Sequence, residues 1–284
     1  MLYKTIISID DLKNNLNNDD FLIFDSRCDI KDSGYGIDSY TEGHIPNSIF
    51  VDVDTDLASE KRPGTGRHPL PDPNTFSEKL SHWGMSNNKQ VVVYDDAGGA
   101  FAGRLWWMLK WLGHEAVAVL DGGLNSWVKG GNKLVTTPTV FEKAHFEPCV
   151  QENMIATVED VEEAQFKMNT ILLDARSKER YQGINDPVDP IAGHVPGAIS
   201  HPLGTNLDKT GKFRRKEDLL HNFNKISNDM KEMEIISMCG SGITACHNIL
   251  ALEIIGIRDV RLYVGSWSEW ITDANRPIVT IKSN

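Results

Sequence analysis

The chain has 284 residues, 40% of them hydrophobic and 24% charged, with a net charge of −11 and a pI near 5.3. That composition supplies a core, excludes disorder and collagen-like repeats, and at this length argues for two ordinary domains. The acidic balance speaks against nucleic acid or an anionic membrane as a partner, because both call for a basic face.

In chain order, the start carries a short apolar stretch broken by Asp10 and Asp11, without the longer apolar core of a signal peptide. Residues 9–16 have a helical pattern, residues 21–24 form a continuous apolar run of strand length, and residues 91–94 form another. Residues 102–112 predict a helix strongly apolar on one side, and Trp106, Trp107 and Trp111 on it have the helical spacing of residues that pack the core or the domain interface. Residues 133–151 look extended and lack helical periodicity. Beyond them, helices are expected over 158–168 and 244–255, and strands over 171–173 and 235–238. Strand–helix alternation of this kind predicts α/β domains built on mainly parallel sheets flanked by helices. No apolar run approaches the ~20 residues that span a bilayer. The four cysteines, Cys28, Cys149, Cys239 and Cys246, do not make a secreted disulfide framework. A cytoplasmic protein with reduced thiols is expected.

The chain also repeats itself. FLIFD (21–25) recurs as TILLD (170–174), and EGHIPNSI (42–49) recurs as AGHVPGAI (192–199). Residues 91–114 line up with 235–257, and DGGLNSW (121–127) matches VGSWSEW (264–270). Four matches in one order at nearly constant offset indicate a tandem duplication. The expected domains are residues 1–135 and 155–284, joined by a linker at 136–154.

The segment of most chemical interest is CGSGITAC (239–246), between the strand expected at 235–238 and the following helix. Glycines at 240 and 242 let the backbone curl so that several N–H groups point inward, an anion nest backed by a helix N-terminus. A cysteine at the head of such a loop is expected as thiolate, the nucleophilic form. A buried cysteine beside a tight turn would show the same spacing, but the repeat separates the two readings. In the first half the equivalent loop begins with Asp95 and is one residue longer, so cysteine chemistry is confined to the second half. In open α/β sheets, ligands bind beyond the carboxyl ends of the strands, where this loop is expected.

The order DAR, GHVPGAI, CGSGITA resembles the rhodanese family in its tandem-domain sulfurtransferase form, over essentially the whole chain. The resemblance implies two tandem rhodanese-like domains, the first catalytically inactive because Asp95 replaces the cysteine. It implies that Cys239 takes a sulfane sulfur from a donor, holds it as a persulfide, and passes it to a thiol or cyanide, with thioredoxin as a candidate acceptor. Neither a metal nor an organic cofactor is implied. Residues Gly240, Gly242, Ile243 and Thr244 would bind substrate through the loop. The neutral Gly-Ser-Gly after the cysteine resembles the 3-mercaptopyruvate branch, whereas thiosulfate enzymes tend to carry basic side chains there. Arg180 matches the arginine aimed at the substrate's anionic group, a task suited to its planar fork. His68 resembles the histidine contributed by the first half and Asp54 its acidic partner, and with Ser241 they would form a proton relay.

One position departs from the pattern. Mercaptopyruvate enzymes usually carry a second arginine nine residues after the first, and here that residue is Asp189. Either the loop is arranged differently or another cation substitutes. The donor expected is 3-mercaptopyruvate, with thiosulfate, or a persulfide carrier or docking module without turnover, as alternatives. Cysteine phosphatases need Cys-x5-Arg, and the residue six after Cys239 is Ala245. Arg27 and Arg176 are read as structural ion pairs with Asp25 and Asp174, and His44 and His194 as satisfied turn histidines. Cys246 is expected about two turns inside its helix as a small core residue.

Overall fold

The computed structural model describes residues 2–281. The chain forms two compact units. The first contains β1 (Ile6–Ile7), α1 (Ile9–Asn14), β2 (Phe21–Asp25), α2 (Tyr35–Glu42), β3 (Ser48–Phe50) and α3 (Pro73–His82), followed by β4 (Gln90–Tyr94), α4 (Ala102–Trp111), β5 (Val117–Leu120) and α5 (Gly123–Lys129). The second contains β6 (Ile155–Ala156), α6 (Val158–Ala164), β7 (Thr170–Asp174), α7 (Lys178–Gln182) and β8 (Ile199–Ser200), then α8 (Lys216–Asn224), β9 (Glu234–Met238), α9 (Ala245–Ile254), β10 (Arg261–Tyr263) and α10 (Ser266–Trp270).

Each unit is built on a five-stranded sheet, in the orders β1-β5-β4-β2-β3 and β6-β10-β9-β7-β8. Every strand pairing in both sheets is parallel. The same order in both halves is the duplication expressed as topology. The central strands are covered on both faces, which is why β4 reads as an unbroken apolar run and is buried along its whole length. Its neighbours Ile23 and Ala118 pack with Val92, Leu120 and Trp127 into one core cluster. Leu172, Ile236, Met238, Tyr263, Trp267 and Trp270 form the corresponding core in the second unit.

Two short segments cross the halves of the sequence: residues 60–69 belong to the second unit and residues 209–213 to the first. The expected strands and helices form at their places, with shifted ends. Helix α6 stops at Ala164 rather than running to 168, and Phe166 and Met168 beyond it are 86% and 98% exposed, so they offer no buried face to extend it. Past Ala164 the turn tightens to i→i−3 bonds, Phe166 N–H to Glu163 O and Lys167 N–H to Ala164 O. Strands β1, β6 and β8 have two residues each, too few for a periodic signal. Helix α3 carries local start signals: Asp72 caps it, accepting from the N–H groups of Asn74 and Thr75, and Pro73 opens it. Among the described residues no helix is long and apolar enough to cross a membrane.

Candidate active site

Both units repeat one frame at the carboxyl ends of their strands. Asp174 at the end of β7 takes Arg176 in a bidentate pair, Nη2 to Oδ2 at 2.7 Å, and the same Nη2 also donates to Gly193 O. In the first unit, Asp25 and Arg27 repeat this geometry with Gly43 O. His194 stacks on Tyr181 with centroids 3.8 Å apart, and His44 stacks on Tyr40 at the same distance. These pairs tie the GHVP and GHIP turns to the sheet. The ion-pair and turn-histidine readings of these residues hold.

Cys239 follows β9 directly and is 1% exposed. Its N–H donates to Ser266 Oγ at 3.0 Å, and Ser266 Oγ donates to Tyr263 O at 2.8 Å. Its carbonyl accepts from Trp267 N–H at 3.0 Å, and Gly240 O accepts from Ser268 N–H at 2.9 Å. The turn that opens α10 therefore grips the first two residues of the cysteine loop. Ser266 does so from the left-handed region, at φ +52°, a conformation that costs a non-glycine residue about 1 kcal/mol or more.

The loop then folds back over the sulfur. Gly242 N–H donates to Cys239 Sγ at 3.2 Å. Gly242 itself has φ +77°, and a Cβ on it would lie 2.3 Å from Val264 O, so only glycine fits. Among the described residues, the N–H groups of Ser241, Ile243 and Thr244 meet no protein acceptor. Helix α9 begins at Ala245, adding its N-terminal dipole to the same place. Cys246 is thus the second residue of α9, not two turns inside it, because the loop uses up residues 240–244 before the helix starts. Its thiol is buried and donates to Gly242 O at 3.4 Å.

Three of the expected polar side chains converge on this loop. His68 Nδ1 and Ser241 Oγ share a hydrogen bond of 2.7 Å, the ring tautomer deciding which donates. His68 lies in the second unit with the rest of residues 60–69, which pack on the start of α10: Arg67 N–H donates to Ser268 Oγ at 3.0 Å, and a Cβ on Gly66 would meet Gly265 O at 2.4 Å. Arg180, on α7, reaches over Gly240, where a Cβ would lie 3.0 Å from its Nη2. Asp54 lies in the first unit, exposed, its N–H donating to Asp52 Oδ1 at 2.8 Å.

Sequence reasoning missed Arg67. Its Nη2 would stand 2.9 Å from a Cβ on Gly240, beside the guanidinium of Arg180. Asp189 joins the two, Oδ1 accepting from Arg67 Nη1 and Oδ2 from Arg180 Nη2 at 2.6 Å. A second guanidinium, that of Arg67, therefore stands beside Arg180, and the acid nine residues after Arg180 pairs with both. Asp186 completes the cluster by accepting from Arg180 Nε at 2.8 Å and from the N–H groups of Val188 and Asp189.

The first unit carries no cysteine at the corresponding place. Its loop begins with Asp95, whose Oδ1 accepts from Ala97 and Gly99 N–H and whose Oδ2 accepts from Phe101 and Ala102 N–H, all within 2.9 Å. Its half-buried cysteine, Cys28, is pushed up to about 12 by burial and by the carboxylates of Asp54, Asp52, Asp29 and Asp96, so it remains a thiol. Chemically, the second unit offers a sulfur in a nest of amide dipoles, a hydroxyl–imidazole pair, and two guanidinium groups beside them.

Comparison with known proteins gives a consistent picture. A family model for the rhodanese-like domain matches residues 8–130 and again 157–273. The chain is 40% identical over 277 residues to a probable 3-mercaptopyruvate sulfurtransferase of Pseudomonas aeruginosa, covering 97% of this chain and 98% of that one. It is 34% identical over 242 residues to the thiosulfate sulfurtransferase of Rattus norvegicus, covering 83% and 80%. Among solved structures, the 3-mercaptopyruvate sulfurtransferase from Leishmania major superposes with a TM-score of 0.82 at 30% identity, over 94% of this chain and 74% of that one.

Proposed function

The chain belongs to the rhodanese family, as a tandem pair of rhodanese-like domains with sulfurtransferase activity, and from that premise we propose that it carries sulfur from 3-mercaptopyruvate to a thiol or cyanide on Cys239. The observation that carries this reading is the Cys239 sulfur under the Gly242 N–H, with the Ser241–His68 pair and two guanidinium groups around one loop.

The Cys239 thiolate attacks the sulfur of the donor, and the S–C bond to the donor breaks. The bonding electrons leave as the enolate of pyruvate, which takes up the proton of the donor thiol. Ser241 and His68 relay that proton across their 2.7 Å hydrogen bond. Asp54 is kept as third member of the relay on the resemblance alone. The product on the protein is Cys239–S–S⁻, whose negative charge faces the Gly242 amide and the N-terminus of α9. An acceptor thiolate then attacks the outer sulfur, forms its own persulfide, and returns Cys239 as thiolate. Arg67 and Arg180 hold the donor carboxylate through their planar forks. Gly240, Ile243 and Thr244 contribute the backbone that the donor contacts. A low molecular weight thiol or a thioredoxin-type dithiol in a reducing cytoplasm is the proposed acceptor, in keeping with four free cysteines. Neither nucleic acid nor membrane is proposed as a partner, given the net charge of −11.

Two measurements on one preparation test the reading. Mass spectrometry after donor exposure should find about 32 Da, one sulfur, added at Cys239, and kcat/KM should be higher for 3-mercaptopyruvate than for thiosulfate. No adduct at Cys239 would overturn the mechanism, and faster thiosulfate turnover would overturn the donor.

A further inference from the structure

We propose that Asp189 selects the charge of the donor: it holds Arg67 and Arg180 as one clamp and cancels enough of their charge to favour a monoanion over a dianion. This rests on the reading of Cys239 as the sulfur carrier. The Asp189 side chain is 1% exposed and divides its two oxygens between the two guanidinium groups. One carboxylate therefore fixes both cations side by side, with their remaining N–H groups next to Gly240.

The charges in this cluster balance. Arg176 pairs with Asp174 and lies 3.6 Å from Asp186, while Arg180 and Arg67 pair with Asp186 and Asp189. Three cations meet three carboxylates, so the clamp offers oriented N–H donors with little net positive charge. A single carboxylate can use such donors, because directed hydrogen bonds carry much of its binding. A dianion such as thiosulfate gains more from each unit of uncompensated positive charge, since its Coulomb energy scales with its own charge. Removing the Asp189 charge should therefore help a dianion about twice as much as a monoanion.

The test uses the full chain and reads binding apart from turnover. Sulfate and pyruvate, a dianion and a monoanion, are titrated as protectants of Cys239 against iodoacetamide, a neutral reagent. In D189N the ratio of sulfate to pyruvate affinity should rise roughly 10-fold, and kcat/KM for thiosulfate relative to 3-mercaptopyruvate should rise with it. D189E, which keeps the charge, should stay within about twofold of wild type in both ratios. Should D189N fail to fold, D189S removes the same charge and carries the same expectation. A purely structural role would lower both anions together and leave the ratios unchanged. That result, or a shift toward the monoanion, overturns the proposal. Protection ratios that shift as expected in a protein that forms no persulfide would instead overturn the function and leave the clamp standing.

Discussion

The two strand-to-helix loops, one in each unit, solve the same electrostatic problem in opposite ways. Both gather backbone N–H groups in front of a helix N-terminus, and such a concavity calls for negative charge. The first unit fills it from within: Asp95 places a carboxylate in it and satisfies four N–H groups. The second unit supplies one sulfur atom, bonded to the N–H of Gly242. The frames around them agree down to the Asp–Arg pair and the Tyr–His stack. What separates the two loops is therefore the charge already inside them, not the fold that carries them.

The largest effect should come from moving the sulfur. Cys239→Ser is expected to lose roughly 10³-fold or more in kcat, since it removes the nucleophile of the proposed mechanism, while Cys246→Ser keeps most activity because a hydroxyl can still donate to Gly242 O. Asp95→Cys in the same assay should gain nothing, because its loop is one residue longer and its four amides are aimed at a carboxylate. Sulfur transfer by Asp95→Cys in a Cys239→Ser background would erase the distinction between the loops.

A smaller effect is expected on stability. Burial pushes the Asp95 carboxyl above the usual carboxylate range, against the four N–H bonds that pull it down. Asp95→Asn places an amide against donors that need an acceptor, at a cost of about 2–4 kcal/mol. Urea unfolding should show this loss, with Cys239 alkylation little changed in the folded protein. An unchanged midpoint would mean that the carboxylate is not what holds the first loop shut.

The smallest effect is acid lability. Burial holds His114 in the first unit and His194 and His201 in the second below the ordinary histidine range. The unfolded chain therefore binds more protons than the folded one below about pH 6.5, and the stability these residues contribute is present above that pH and lost as pH falls. Asp95 and Glu269, both raised chiefly by burial, act with the opposite sign at the acid end. Melting followed from about pH 7 to about pH 5 should show falling stability, flattened in His201→Gln; a rise over that interval would contradict the assignment.

Much of this was readable beforehand, for physical reasons that differ by residue. The buried parallel strands announce themselves as apolar runs, and the cysteine loop does so through glycines whose conformations other residues resist. The Ser241–His68 contact was visible only through the family resemblance, because 173 residues separate the pair. Arg67 stayed hidden although it adjoins His68, since its partner Asp189 lies 122 residues away. The clue was Asp189 itself: an acid beside an anion site needs a cation that the local sequence does not supply. Ser266 was missed for a similar reason. In the repeat it stands where the first half has Gly123, which adopts nearly the same backbone at φ +55°, so the signal it carries is a serine at a left-handed position where its twin uses glycine.

That exchange at 266 bears on how this protein could be improved. Glycine at 266 would relieve a backbone strain of about 1 kcal/mol but leave the buried Cys239 N–H without its acceptor, a loss of about 1–3 kcal/mol, so the serine is the sturdier choice as well as the one that fixes the loop. A variant that still folded on those terms would have released the peptide that fixes where the Cys239 sulfur points, and an assay of turnover would show it.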